Sequence, residues 1–206
     1  MKLFAPLLSA LLFASTPAAA LEWGKDYVEV PAQPTSVKRG QVEVLEFFWY
    51  GCPHCFHLEP ELNAWVKKLP RNVVFKRVPG VLNESWLPLA RAYYALEAVG
   101  LQEKLHGEVF NAIHVEHLDL NPPGAFLDWA AKHGANRKKL AAAYDSFAVD
   151  SKAMRAQQMT RDFKLNGVPA FVVAGKYTTS AYLTGGNPQT FKVIDELSAL
   201  ERKGKK

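Results

Sequence analysis

Residues 42–55 have the sequence VEVLEFFWYGCPHC, which predicts a buried strand followed closely by two cysteines. The segment 42–48 is almost continuously apolar or aromatic, as expected for a strand covered on both faces of a sheet. Cys52 and Cys55 are the only cysteines among the 206 residues. They can form a disulfide only with each other or with another molecule, which favours a redox-active dithiol over a structural disulfide.

The residues around the cysteines predict a stabilised thiolate at Cys52. Cys52 is expected to cap a helix whose first residue is Pro53, so that its sulfur faces free backbone amides and the positive end of the helix dipole. The His54 imidazole adds a further donor. Because a stabilised thiolate makes the disulfide easy to reduce, this dithiol is expected to oxidise other thiols.

The spacing of the two cysteines predicts different roles for them. Cys52 is expected to be the exposed sulfur that a substrate thiolate attacks, and Cys55 the partner buried under the first helical turn. An alternative is a zinc or copper site built from Cys52, His54, Cys55 and His57. We favour the redox interpretation, with no metal, because structural zinc sites usually take their ligand pairs from two separate segments.

Glu46 is a candidate proton carrier, since it lies in an apolar strand where an unpaired charge would be costly. It is expected to exchange protons with Cys55, with Arg77 or Lys76 as the counter-charge. The alternative is a strand glutamate that reaches solvent. Glu59, one turn beyond Cys55, is expected on the helix surface.

The aromatic residues before the cysteines, Trp49 and Tyr50, are candidates for binding unfolded chains, with core packing as the alternative. Val168 and Pro169 open a later strand that could pair with an extended substrate if their peptide bond were cis. The residues alone favour the trans form. Four histidines in the helical part of the chain are expected to be surface or packing residues: His106, His114, His117 and His133.

The order of predicted elements is βαβ, a helical block, then αββα. Strands are expected at 28–30, 42–48, 73–78, 168–173 and 176–179, and helices at 53–69, 89–99, 101–113, 123–133, 137–147, 149–165 and 187–200. This order predicts an α/β fold in which a mixed central sheet is flanked by helices and interrupted by an all-helical subdomain. The expected divisions are 1–20, 21–82, 83–148 and 149–206, the third being the helical insertion.

Residues 1–20 are typical of a signal peptide. Lys2 precedes a short apolar stretch, and three alanines offer a cleavage site after Ala20, although an uncleaved amphipathic anchor is an alternative. Export would place the dithiol in an oxidising compartment. The formal net charge is +5, but no basic stripe carries interleaved aromatics, so nucleic-acid binding is not expected.

Several motifs together resemble the DsbA family of bacterial periplasmic thiol:disulfide oxidoreductases, a branch of the thioredoxin superfamily. They are the strand and Cys-Pro-His-Cys of 44–55, Gln157-Gln158, Gly167-Val168-Pro169-Ala170 and Gly175-Lys176-Tyr177. The similarity extends over essentially the whole chain after residue 20. Thioredoxins typically carry Cys-Gly-Pro-Cys instead.

The resemblance implies a thioredoxin fold with a helical insertion, no bound cofactor, and reoxidation by a DsbB-like membrane quinone oxidoreductase. By position it implies that Cys52 is the nucleophile, His54 the thiolate stabiliser and Pro169 a cis proline. It also implies that Glu46 is a buried acid with Glu59 near it. Arg77 stands where the family often has lysine.

The function expected from these observations is a monomeric periplasmic dithiol oxidase that transfers its Cys52–Cys55 disulfide to reduced, unfolded exported proteins. One alternative is a disulfide reductase or isomerase. Another is a periplasmic metal-binding or peptide-holding module in which the two cysteines are incidental.

Overall fold

The computed structural model describes residues 21–203, and the predicted signal peptide lies outside them. A five-stranded mixed sheet has the order β1-β5-β4-β2-β3. Its strands are β1 Val28–Glu29, β2 Val42–Phe48, β3 Val73–Pro79, β4 Ala170–Val173 and β5 Tyr177–Thr179. Strand β2 is central, parallel to β3 and antiparallel to β4, and all seven of its residues are buried. The strand expected from its continuous apolar sequence is thereby confirmed.

Helices cover the sheet and fill the connection between β3 and β4. They are α1 Pro53–Val66, α2 Leu87–Ala98, α3 Gln102–His114, α4 Pro123–Lys132, α5 Arg137–Tyr144, α6 Phe147–Asp162, α7 Ala181–Thr184 and α8 Asn187–Lys203. The predicted order of elements is confirmed. The short helix α7 and a 3-10 turn at Glu84–Trp86 were not expected. Strand β4 begins at Ala170 rather than Val168, so that Pro169 precedes it.

Three packed layers position the end of β2. On one face of the sheet, Val42 and Val44 pack with residues of α1 and α8. On the other face, Leu45 and Phe47 pack with residues of α6. Beyond these layers, Phe48 and Tyr50 extend the chain into the apolar core of the helical block. The cysteines therefore follow directly on the point where the sheet meets the helical block.

The β4–β5 hairpin is closed by Ala174 and Gly175, which both have positive φ values of 53° and 70°. Its antiparallel register pairs Val173 with Tyr177. This confirms the turn that Ala-Gly predicts between two strands. Within residues 21–203, no helix has both the length and the apolar character needed to cross a membrane.

Candidate active site

Cys52 caps helix α1 in the predicted manner. Its backbone is extended, Pro53 is the first helical residue, and the backbone N–H of Cys55 donates to Cys52 Sγ over 3.4 Å. Both cysteines are free thiols. The Cys52 residue is 7% exposed and Cys55 is fully buried. Cys52 is therefore much less exposed than expected. It nevertheless has accessible surface, whereas Cys55 has none.

The pKa of the Cys52 thiol is lowered from 9.0 to about 6. The largest cause is a hydrogen bond from the Cys55 thiol, which outweighs the opposing effect of burial. Backbone N–H groups of Cys55 and His54 and the charge of the His54 ring lower it further. The pKa of Cys55 is raised, chiefly by burial and then by Cys52 and the negative charge of Glu46. The two sulfurs are thus electronically distinct, as a stepwise disulfide exchange requires.

The loop before β4 lies against the cysteines. The Val168–Pro169 peptide bond is cis, as the resemblance implied. The Cys52 thiol donates to the Val168 carbonyl over 3.5 Å. Gly80, directly after β3, makes this approach possible, because a Cβ there would lie 2.7 Å from Val168 Cγ1.

Glu46 is completely buried, which excludes the alternative of a glutamate that reaches solvent. The parallel register places Arg77 opposite it, with Arg77 Nε 3.2 Å from Glu46 Oε2. Lys76, the other expected counter-charge, instead pairs with Glu43 at 2.9 Å. Burial raises the pKa of Glu46 to about 8 against the opposing charge of Arg77. Glu46 is therefore a neutral acid at neutral pH.

Two sequence expectations near the site are wrong. Glu59 does not decorate the surface of α1: it is 8% exposed and accepts from Arg77 Nη2 over 3.1 Å. Tyr50 is 1% exposed, and its hydroxyl bonds His106 Nδ1, so its side chain does not line the mouth of the site. Core packing, the alternative for Tyr50, is what the structure shows.

Trp49 is half-buried and stacks on Trp86 with ring centroids 4.1 Å apart. Trp49 also borders a cavity of about 330 Å³. Trp49 packs over Gly51, the residue before Cys52, where a Cβ would lie 2.4 Å from the indole. Trp49 therefore lies beside the cysteines.

Two histidines of α3 contact residues close to the cysteines, although they were expected only as surface or packing residues. His106 Nε2 lies 3.2 Å from Glu59 Oε1, and His114 Nε2 bonds the Tyr50 carbonyl at 2.8 Å. Helical spacing could have predicted that His106 is buried, because it shares an apolar face of α3 with Val109 and Phe110. Within residues 21–203, no group of three His, Cys, Asp or Glu side chains is arranged to hold a metal ion.

The cysteine-capped helix beside a cis proline on a mixed sheet defines a class, the thioredoxin-fold thiol:disulfide oxidoreductases. A family model described as DSBA-like thioredoxin domain matches residues 72–193. The thiol:disulfide interchange protein DsbA of Burkholderia cepacia is 43% identical over 191 residues, covering 92% of this chain and 90% of the relative. The chain therefore belongs to the DsbA family.

Solved structures agree with this assignment. The crystal structure of Pseudomonas aeruginosa DsbA superposes with a TM-score of 0.83 at 37% identity, covering 88% of this chain and 94% of that one. DsbA from Xylella fastidiosa gives 0.82 at 30% identity, covering 89% and 98%. The predicted thioredoxin fold and thiol:disulfide oxidoreductase activity are thereby confirmed.

Proposed function

We propose that this protein is a periplasmic oxidase of reduced, unfolded exported proteins, that it acts as a monomer, and that the Cys52–Cys55 disulfide is its only redox group. The observation that carries the proposal is the position of Cys52 at the start of α1, where its thiolate is stabilised and the Val168 carbonyl lies 3.5 Å away. A stabilised thiolate favours the reduced form of the pair and so favours oxidation of the client.

The proposed reaction runs in two exchanges. A client thiolate attacks Cys52, forms a mixed disulfide and displaces the Cys55 sulfur. A second client thiolate then attacks the client sulfur of the mixed disulfide and displaces Cys52 as a thiolate. The client loses two electrons, which the cysteine pair gains. In the mixed disulfide, the lowered pKa of Cys52 makes its sulfur a better leaving group than an ordinary client thiol.

Glu46 is proposed to carry the proton of Cys55. Cys55 leaves as a thiolate in a site that strongly disfavours its charge, and the Glu46 carboxylic acid can protonate it. When the pair is reoxidised, the Glu46 carboxylate takes the proton back. Arg77 does not serve as a donor, because a guanidinium keeps its proton. It instead stabilises the ionised form of Glu46.

Extended client backbone is proposed to bind beside Val168 and Pro169, with Trp49 contributing aromatic surface. Membership of the DsbA family supports a DsbB-like membrane quinone oxidoreductase as the partner that restores the disulfide. It also supports a periplasmic location, in keeping with the predicted signal peptide.

The test compares the purified oxidised protein with Cys52→Ser and Cys55→Ser on a reduced model protein that needs disulfides for activity. On this reduced client we expect Cys52→Ser to lose all oxidation. On an oxidised client, the Cys52 thiolate of Cys55→Ser should attack a client disulfide, release one client sulfur as a thiolate and stay trapped as a mixed disulfide. Oxidation by Cys52→Ser would contradict the proposal.

A second measurement separates the oxidase from the isomerase. The same protein is assayed on a scrambled, fully oxidised client, with and without added reductant. Faster isomerisation of that client than oxidation of the reduced one would favour the isomerase.

A further inference from the structure

His106 is buried, at 5% exposure, and both of its ring nitrogens have partners. Nε2 lies 3.2 Å from Glu59 Oε1, and Nδ1 lies 2.9 Å from the Tyr50 hydroxyl. Because a carboxylate only accepts, Nε2 must carry the hydrogen of this contact. In the neutral ring, Nδ1 then accepts from Tyr50. Burial lowers the pKa of His106, so the neutral ring is the form at neutral pH.

The contact with Glu59 continues to the acid beneath the cysteines. Glu59 Oε2 accepts from Arg77 Nη2 over 3.1 Å and from Asn63 Nδ2 over 3.0 Å. Arg77 Nε lies 3.2 Å from Glu46 Oε2. The Arg77 guanidinium is thus shared by the buried carboxylates of Glu46 and Glu59, and His106 contacts only that of Glu59.

Four elements contribute the titratable groups that surround this arrangement. Glu46 comes from β2, Glu59 from α1 and Arg77 from β3. Tyr93 of α2 lies beside them, with its ring centroid 6.0 Å from that of His106 and its hydroxyl donating to the Arg77 carbonyl over 3.4 Å. The thiols of Cys52 and Cys55, at the start of α1, interact electrostatically with Glu46. Tyr50, on the loop after β2, adds the neutral hydroxyl described above.

We propose that His106 is a positioning residue of the dithiol reaction: by donating to Glu59 it leaves Arg77 shared between the two carboxylates, and so preserves the stabilisation of the Glu46 anion. The proposal rests on the proposed role of Glu46 as proton carrier. Without His106, a buried oxygen of Glu59 loses its donor, and an anion short of donors draws the guanidinium closer. Glu46 would then ionise at higher pH.

The effect is measured on one step of the reaction. In this step the Cys52–Cys55 disulfide forms from a mixed disulfide between Cys52 and a chromogenic aromatic thiol. Cys55 gives its proton to the Glu46 carboxylate, and its sulfur attacks Cys52. The Cys52–Cys55 bond forms as the bond to the aromatic thiol breaks, and the aromatic thiolate leaves with its colour. Stopped-flow rates are measured against pH for wild type, His106→Leu, His106→Gln and Glu46→Gln.

We expect His106→Leu to move the inflection of the rate upward by about one pH unit, which slows closure at neutral pH by up to about tenfold. His106→Gln keeps an N–H for Glu59 and should follow wild type. His133→Leu, which removes a half-buried histidine stacked on Trp129, is the packing control and should also follow wild type. An unshifted or lowered inflection in His106→Leu would overturn the proposal, as would equal shifts in the Leu and Gln variants.

Two further variants keep the test decisive. Glu46→Gln should lose the inflection altogether. If the rate of Glu46→Gln still shows the inflection, the proposed role of Glu46 as proton carrier is wrong. If the rate of Glu46→Gln does not depend on pH but the inflection of His106→Leu is unshifted, only the inference about His106 is wrong. Should His106→Leu not fold, Glu59→Gln tests the same competition. This variant removes the carboxylate that competes with Glu46 for Arg77, so the inflection of its rate should move to lower pH. A shift to higher pH would overturn the proposal.

Discussion

The backbone N–H of Cys55 donates to Cys52 Sγ over 3.4 Å, so that one contact both caps helix α1 and stabilises a thiolate. The Cys55 thiol adds a second donor to the same sulfur. The partner cysteine is thus a main source of the reactivity of Cys52, beside the dipole of the helix. The direction in which removal of Cys55 should change the pKa of Cys52 follows from this.

Cys55→Ala should raise the pKa of Cys52, because it removes the side-chain hydrogen bond that is the largest cause of the lowered value. We expect the wild-type thiolate to titrate at about 6 and that of the variant to titrate at least about one unit higher. Thiolate ultraviolet absorbance against pH measures both. Equal titrations in the two proteins would show that the helix terminus alone controls the thiolate.

Glu46→Gln should stabilise the protein at neutral pH. The pKa of Glu46 is raised from 4.5 to about 8, so the native state holds a proton that the unfolded state releases. Its contribution to stability is present in full below pH 4.5 and is lost as the pH rises through 8. The variant does not ionise, so its advantage should grow across this window and reach at most about 3 kcal/mol at pH 7.

Denaturant unfolding of the two reduced proteins at pH 4, 7 and 9 measures this difference. Glu43→Gln is the control, because that buried carboxylate has its own donors in Ser36 and Lys76. Its loss should destabilise the protein. A Glu46→Gln variant that is less stable than wild type at pH 7 would show that Arg77 outweighs the effect of burial.

The redox centre could be predicted from sequence because its residues are neighbours in the chain. A buried strand, a cap, a proline and a second cysteine one turn later depend only on local geometry. The contact between Glu59 and His106 escaped prediction because it joins residues 47 positions apart. A glutamate on a helix is normally solvated, but contacts with Arg77 of β3 and His106 of α3 cover this one.

The counter-charge of Glu46 was predictable only as a choice between two residues. Arg77 and Lys76 are adjacent, and consecutive side chains on a strand point to opposite faces. The parallel register pairs Glu46 with Arg77 and Leu45 with Lys76, which settles the choice. Register depends on how the whole strand is buried, and no single residue of the sequence reports it.

Gly175→Ala should destabilise the fold through the β4–β5 turn. Gly175 has φ +70°, and a Cβ there would lie 2.4 Å from the Gln33 carbonyl oxygen. Backbone strain and a backbone clash therefore act together, and we expect a loss of about 2–3 kcal/mol. Gly100→Ala is the matched control, with φ +72° and no atom within 4 Å of the added Cβ. It should cost only about 1 kcal/mol. Equal losses in urea unfolding would show that the clash is relieved by movement of the segment at Gln33.

Gly80→Ala should impair client oxidation without changing the thiolate. The new methyl group would lie 2.7 Å from Val168 Cγ1, so the Val168 side chain must move, and with it the loop whose carbonyl contacts Cys52. We expect kcat/KM for a reduced client to fall by about tenfold, since small displacements beside reacting atoms are costly. Gly107→Ala is the control: it lies in α3 with open space around the added methyl group, and it should leave the rate unchanged. The lowered pKa of Cys52 should be retained in Gly80→Ala, because the groups that lower it, on Cys55 and His54, lie on helix α1. A shifted thiolate titration with an unchanged rate would mean that the Val168 loop tunes the sulfur rather than positioning the client.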